Sequence, residues 1–323
     1  MSGLILSSWA PKTVSSYNTY IKKWDLFCSR NGIEYPHLAT FEEGANFLAD
    51  LFKSGEKYGS IAAARSALSA ILPTREGVTF GKDPTVCRLL KGVFKERPCL
   101  PRHTVTYDVN VVLKYIKLLP DNEHLLLETL TKKLCTLLCI LSGQRSQTIA
   151  KLNLDYMHVI GDTYTFYIPQ VLKTTTPSFH QEPLEFRAFP HDTKLCVFSC
   201  LRLYIDRTSL VRENSYDGDS QLILSHCYPH KPVQSSTLAR YVKTFLGMAG
   251  IDITVFTAHS TRSASTSKAN NLGLSLKDIA KAAGWKGHST FQQYYNFPIK
   301  KIFGMEILLS SSDTTVADGD CNC

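Results

Sequence analysis

Apolar residues recur at helical spacing along most of the chain, and the pattern changes to alternation in one short region. From about residue 10 to 97 it predicts four or five helices: the stretch after Thr13 (VSSYNTYIKKWDLFCSR), Phe41 to Lys53, Tyr58 to Leu72, and Pro84 to Lys95. Pro98 and Pro101 then mark an exposed linker, RPCLPRHTVTYD. Beyond it the pattern is mixed, with helices near Val109 to Leu119 and His124 to Leu141, a three-strand patch around Met157 to Phe189, and mainly helices again. The fold class is therefore mainly α with a small β-sheet (α+β). The expected organisation is an N-terminal extension over 1–9, a helical domain over 10–97, a linker over 98–107, a second domain over 108–305 and a tail over 306–323. That tail is small, polar and acidic, which predicts disorder.

Within the second domain, LLCILSGQRSQTIAKLNLD reads as a buried helix that stops at Ser142-Gly143, followed by a short helix carrying Arg145. Glycine permits the sharp turn, and a helix start favours anions. The run YTFYIP, from Tyr164 to Pro169, alternates as a strand should, and Lys173 follows in the loop QVLKTTTP. A lysine there can act as a mobile general acid; taken singly it is an ordinary solvated lysine. Further on, Arg262 lies three residues after His259 and twenty-three before Trp285, with the pair Tyr294-Tyr295 beyond. A His and an Arg one helical turn apart point the same way and place an imidazole and a guanidinium fork on one phosphate. A phenol downstream can attack that phosphate, although an H-x-x-R pair alone is often a surface pair.

Arg145, Lys173, His259, Arg262, Trp285 and a terminal Tyr, in that order, resemble the tyrosine recombinases, also called the phage integrase family. The blocks SGQRSQTIAKL, LKTTTP, PLEFRAFPHDTKLCVFSCL, AHSTRSASTSKA and GWKGHSTFQQYYNFP are similar to those of recombinases encoded by DIRS-like retroelements. The resemblance implies a core-binding domain followed by a catalytic domain. It also implies a reaction in which Arg145 and Arg262 bind the non-bridging oxygens of a scissile phosphate. A Tyr hydroxyl then forms a 3′-phosphotyrosyl bond, and Lys173 protonates the leaving 5′-oxygen. His259 becomes the proton acceptor or a phosphate contact, and Trp285, at a place where relatives hold His or Trp, positions rather than transfers protons. No metal is required by this scheme.

Two tyrosines compete for the nucleophile. Bacterial and phage relatives place theirs nine residues after the His or Trp position, which selects Tyr294, whereas the retroelement pattern of Phe then Tyr selects Tyr295. On a helix the two hydroxyls diverge by about 100°, so one alone can face the phosphate. The retroelement pattern favours Tyr295, with Tyr294 as the alternative. Where many relatives carry an acid three places after the first Arg, this chain has Thr148, which can hydrogen-bond but adds no charge. His288 is a further possible proton carrier, or a solvated helix-start residue.

Composition sets the remaining bounds. With 323 residues, 44% of them hydrophobic, the chain can bury more than one core. A net charge of +8 suits a phosphate polyanion. Lys22, Lys23, Lys57, Arg65, Lys91 and Lys95 are candidate phosphate contacts in the helical domain, each also readable as part of a solvated helix face. No apolar run suggests a membrane span or signal peptide, so intracellular work is expected, nuclear if the host is eukaryotic. The ten cysteines are scattered without a C-x-x-C pair, and Cys227 between His226 and His230 lacks a second ligand pair, so buried reduced thiols are expected rather than a metal site. No phosphate loop implies ATP, and no nicotinamide cofactor is implied.

The expected function is site-specific recombination or integration of a circular retroelement copy, with double-stranded DNA as partner and a homo-tetramer on paired sites. By the same resemblance, the segment Ile302 to Leu309 is expected to dock on a neighbouring protomer. The alternatives are a catalytically silent DNA-binding protein of the same fold and topoisomerase-like relaxation.

Overall fold

The computed structural model describes residues 8–98, 105–213, 220–285, 291–292 and 295–298. Two compact units divide the chain, Met1–Arg102 and His103–Cys323.

The first unit is built from α1 (Pro11–Arg30), α2 (Phe41–Lys53), α3 (Tyr58–Ile71) and α4 (Pro84–Glu96), with a 3-10 turn at Phe80–Lys82. Local signals set the helix starts. Pro11 and Pro84 occupy first-turn positions, where the missing N–H costs nothing. Thr40 and Glu43 form a reciprocal capping box at the head of α2, and the Asp83 carboxylate accepts from the backbone N–H groups of Thr85 and Val86. The buried faces meet around Trp24, Phe27, Phe47, Leu48, Ile61, Leu68 and Phe80. Trp24 is fully buried and still pairs its indole N–H with the Pro36 carbonyl at 3.1 Å, so its large apolar area is gained without stranding a donor.

The second unit centres on α6 (Leu127–Ser142), which is buried along nearly all of its length from Leu130 to Ile140. Around it pack α8 (Val197–Glu213), α9 (Ser235–Met248) and α10 (Ser260–Asn271), while α5 (Val109–Leu118) packs on α10, and α7 (Ser146–Ile149) follows α6 directly. The one fully buried charge of α6, Lys133, donates to the Asn122 side-chain oxygen at 2.6 Å, so the helix can sit at the centre of a core with that group paired. The predicted strand patch is a three-stranded antiparallel sheet of order β1-β2-β3: β1 (Met157–Ile160), β2 (Thr163–Phe166) and β3 (Leu184–Arg187). Tyr164 pairs with Phe186 and Phe166 with Leu184, and all four are buried. A further helix, α11 (Leu276–Ala282), anchors a satellite cluster of Ile279, Ala280, Ala283, Trp285 and Phe291, with Tyr295 packed against it.

Two boundaries differ from expectation. The helix expected from His124 begins at Leu127, because Asn122–His124 winds as a 3-10 turn and Leu125 and Leu126 are extended. The linker expected to run to residue 107 ends earlier. Thr106 and Tyr107 are 1% and 3% exposed, and Tyr107 donates its hydroxyl to Thr261 at 3.0 Å. Side-chain burial of this kind leaves no mark in local composition. His288, Tyr294, the segment Ile302 to Leu309 and the tail expected over 306–323 lie outside the described residues.

Candidate active site

Gly143 is where α6 ends and the site begins. It adopts φ +59°, a left-handed conformation that side chains resist. A Cβ there would also meet the Thr266 methyl at 3.2 Å. The turn brings its carbonyl onto the Arg262 guanidinium, whose Nη1 donates to it at 2.8 Å. Two residues later, Arg145 stands half-buried at the N-cap of α7, its own side chain not engaged in capping. Thr148 is buried within the same short helix.

His259 holds the N-cap position of α10 without a side-chain capping bond, and Arg262 follows in the first turn. Arg262 is 1% exposed. Its guanidinium carbon lies 4.3 Å from the Trp285 ring centroid and 5.3 Å from that of Tyr295, a cation–π arrangement that holds the planar fork in place. Burial first, and then the charge of Arg145, pull Arg262 well below the usual guanidinium range; the Tyr295 hydroxyl acts in the opposite direction. Nε and Nη2 of Arg262 and Nε1 of Trp285 are buried with no hydrogen-bond partner among the described residues.

Trp285 owes its position to the end of α11. The Trp285 N–H bonds the Ala280 carbonyl at 2.9 Å and the Gly284 N–H bonds that of Lys281 at 3.1 Å, the paired bonds of a Schellman motif with a left-handed glycine. Gly284 is tightly enclosed, since a Cβ would come within 2.1 Å of the Gln181 side-chain oxygen.

Tyr295 completes the cluster. Its ring centroid lies 4.9 Å from that of Trp285, and its hydroxyl stands 3.2 Å from Nε2 of His259. Desolvation and the positive charges of Arg262, Arg145 and Lys173 all hold His259 below the ordinary imidazole value. Lys173 is exposed, on a turn closed by Thr175: its hydroxyl accepts from the Leu172 N–H at 2.9 Å, and its N–H bonds the Leu172 carbonyl. Lys151 reaches the same loop through the Val171 carbonyl.

The second unit thus brings together Arg145, Lys173, His259, Arg262, Trp285 and Tyr295. Of the candidate contacts in the first unit, Lys22, Lys57, Lys91 and Lys95 are exposed. Lys23 is paired with Glu56, and the half-buried Arg65 has an Nε without a described partner. Three contributors escape a reading of the sequence: the Gly143 carbonyl, the stacking of Arg262 on Trp285, and the bonds that hold the backbone around Tyr295. The first was foreshadowed only as a helix stop.

Among the described residues no group of three or more His, Cys, Asp or Glu side chains is placed to hold a metal ion, and no helix is long and apolar enough to cross a membrane.

Solved structures carry the same fold. The chain is similar to the XerH site-specific recombinase in a post-cleavage complex with a palindromic difH substrate, at 13% identity and a TM-score of 0.59, covering 93% of this chain and 79% of that one. It is similar also to lambda integrase (75-356), a dimer bound to a COC′ core site, at 17% identity and a TM-score of 0.51, covering 93% and 94%. Comparison with curated protein sequences finds no match. Fold and family together define a DNA strand transferase of the tyrosine type. The chain belongs to the phage integrase family, whose model matches residues 118–298.

Proposed function

We propose that this protein is a site-specific recombinase or integrase that breaks and rejoins duplex DNA through a 3′-phosphotyrosyl intermediate. One observation carries the reading. Three buried donor nitrogens, Nε and Nη2 of Arg262 and Nε1 of Trp285, have no hydrogen-bond partner among the described residues in a cluster where the Tyr295 hydroxyl already meets His259. Unpaired buried donors are costly, and a phosphodiester supplies the acceptors and the negative charge that a group of cations calls for.

In the proposed reaction Arg145 and Arg262 hold the non-bridging oxygens and stabilise the charge that builds in the transition state. The Tyr295 oxygen attacks phosphorus and gives up its proton to Nε2 of His259, whose pKa is lowered by desolvation and by the neighbouring cations. As the new P–O bond forms, the bond to the 5′-oxygen breaks, and Lys173 supplies the proton that makes it a 5′-hydroxyl. Reversal with a different 5′-hydroxyl rejoins the strands, so the phosphotyrosyl bond conserves the energy needed for exchange.

The finer reading is a retroelement enzyme that integrates a circular copy in a tetramer on two DNA sites, acting in the nucleus of a eukaryotic host. The blocks shared with DIRS-like recombinases support it. Incubation with paired element-end and target duplexes tests this: joined products are expected, whereas relaxation of a supercoiled circle by single protomers without pairing would overturn it.

A further inference from the structure

Ser267 lies in the second half of α10, five residues beyond Arg262. Hydroxyl side chains inside helices usually bond back to a carbonyl of the preceding turn, and those beside it do so: Ser263 bonds the Ser260 carbonyl, and Ser265 and Thr266 bond that of Arg262. Ser267 instead reaches across 28 residues of sequence. Its hydroxyl donates to the Tyr295 carbonyl at 2.8 Å and accepts from the Phe297 N–H at 3.1 Å. The side chain is 1% exposed, so both bonds are formed away from bulk water, where each matters most. A third bond continues the attachment, from the Thr106 N–H to the Pro298 carbonyl at 3.0 Å.

These bonds fix the backbone that carries the Tyr295 side chain to the helix that carries Arg262 and has His259 at its N-cap position. The nucleophile and the phosphate-binding fork are thereby registered against one rigid element. Only Ser267 makes a two-sided bridge to this segment among the described residues, because a single hydroxyl serves as donor to one residue and acceptor from another.

We infer that Ser267 is a positioning residue for strand cleavage, holding the Tyr295 hydroxyl in line with the scissile phosphate. This rests on Tyr295 being the nucleophile. The Phe297 N–H also bonds the Tyr295 carbonyl at 3.0 Å; without the Ser267 hydroxyl that local turn keeps only this bond, its tie to α10 is lost and the phenol samples other positions. Misplacement by about 1 Å costs on the order of 100-fold in rate.

The test is single-turnover cleavage by the full chain of a nicked duplex that traps the covalent adduct, comparing wild type, Tyr295→Phe, Ser267→Ala and Ser267→Cys. A cysteine fills the site with a slightly larger group that bonds only weakly, and so serves if the alanine variant fails to fold. The expected result is loss of adduct in Tyr295→Phe. For the Ser267 variants, DNA affinity, adduct yield and the pH midpoints of the rate stay unchanged while the rate constant falls about 10- to 100-fold. A purely structural role would lower the yield through loss of folded protein and leave the rate constant of the active fraction unchanged, and that result would overturn the inference. Adduct formation by Tyr295→Phe would overturn the nucleophile assignment itself, separately from any effect at Ser267.

Discussion

At the scale of single residues, the proposed chemistry depends on His259 being neutral when Tyr295 gives up its proton. A free imidazole titrates near pH 6.5, and desolvation with the charges of Arg262, Arg145 and Lys173 holds His259 lower. The cleavage rate should therefore stay level as pH falls to about 6.5 and decline only below it. A pH profile of single-turnover cleavage checks this, and a decline already under way above neutrality would contradict it. Stability follows the same sign. Between the folded and unfolded pKa values the unfolded chain binds the extra proton, so the contribution of His259 is present above about pH 6.5 and is lost as pH falls through the lowered folded value. Arg262 permits a sharper test. Lysine keeps the charge but loses the planar stack on Trp285 and the fork that reaches Gly143. Arg262→Lys should slow cleavage by about 100- to 1,000-fold with a much smaller change in DNA affinity, as a filter-binding assay alongside the cleavage assay would show.

Among the elements, helix ends do most of the placing. The α6 stop at Gly143 aims a carbonyl at Arg262, and the Schellman end of α11 sets Trp285 beneath the same guanidinium. Gly143→Ala combines an unfavourable positive φ with contact against Thr266, and should cost roughly 1–2 kcal/mol. Thermal unfolding of the variant measures this; an unchanged midpoint would show that the turn is not held as described. Much of this arrangement is legible in the chain. The Ser142-Gly143 stop, the alternation through YTFYIP and the His259–Arg262 spacing are local patterns, and local physics reads them. The stacking of Arg262, the clip made by Ser267 and the burial of Thr106 and Tyr107 are not legible, because each depends on a segment far away in sequence arriving at α10.

For the whole molecule, the division into two units with separate cores means that damage can be confined. Trp24 is the largest fully buried side chain of the first unit, and Trp24→Ala should cost it about 3–5 kcal/mol. Calorimetry should show one transition shifted and the other retained; equal shifts of both would mean that the units unfold together. The positive balance of the chain, +8, predicts that DNA affinity falls steeply as salt rises, through release of counterions from the phosphates it neutralises.

The proposed reaction joins a tyrosine of this chain to DNA. It is tested most directly with a nicked suicide duplex carrying element-end sequence, from which the cleaved 5′-hydroxyl strand diffuses away. The product is resolved under denaturing conditions for wild type, Tyr294→Phe and Tyr295→Phe. The expected result is a denaturant-resistant adduct formed by wild type and Tyr294→Phe and absent from Tyr295→Phe. A wild-type protein that binds this DNA and forms no adduct would contradict the account and leave a DNA-binding protein with the recombinase fold.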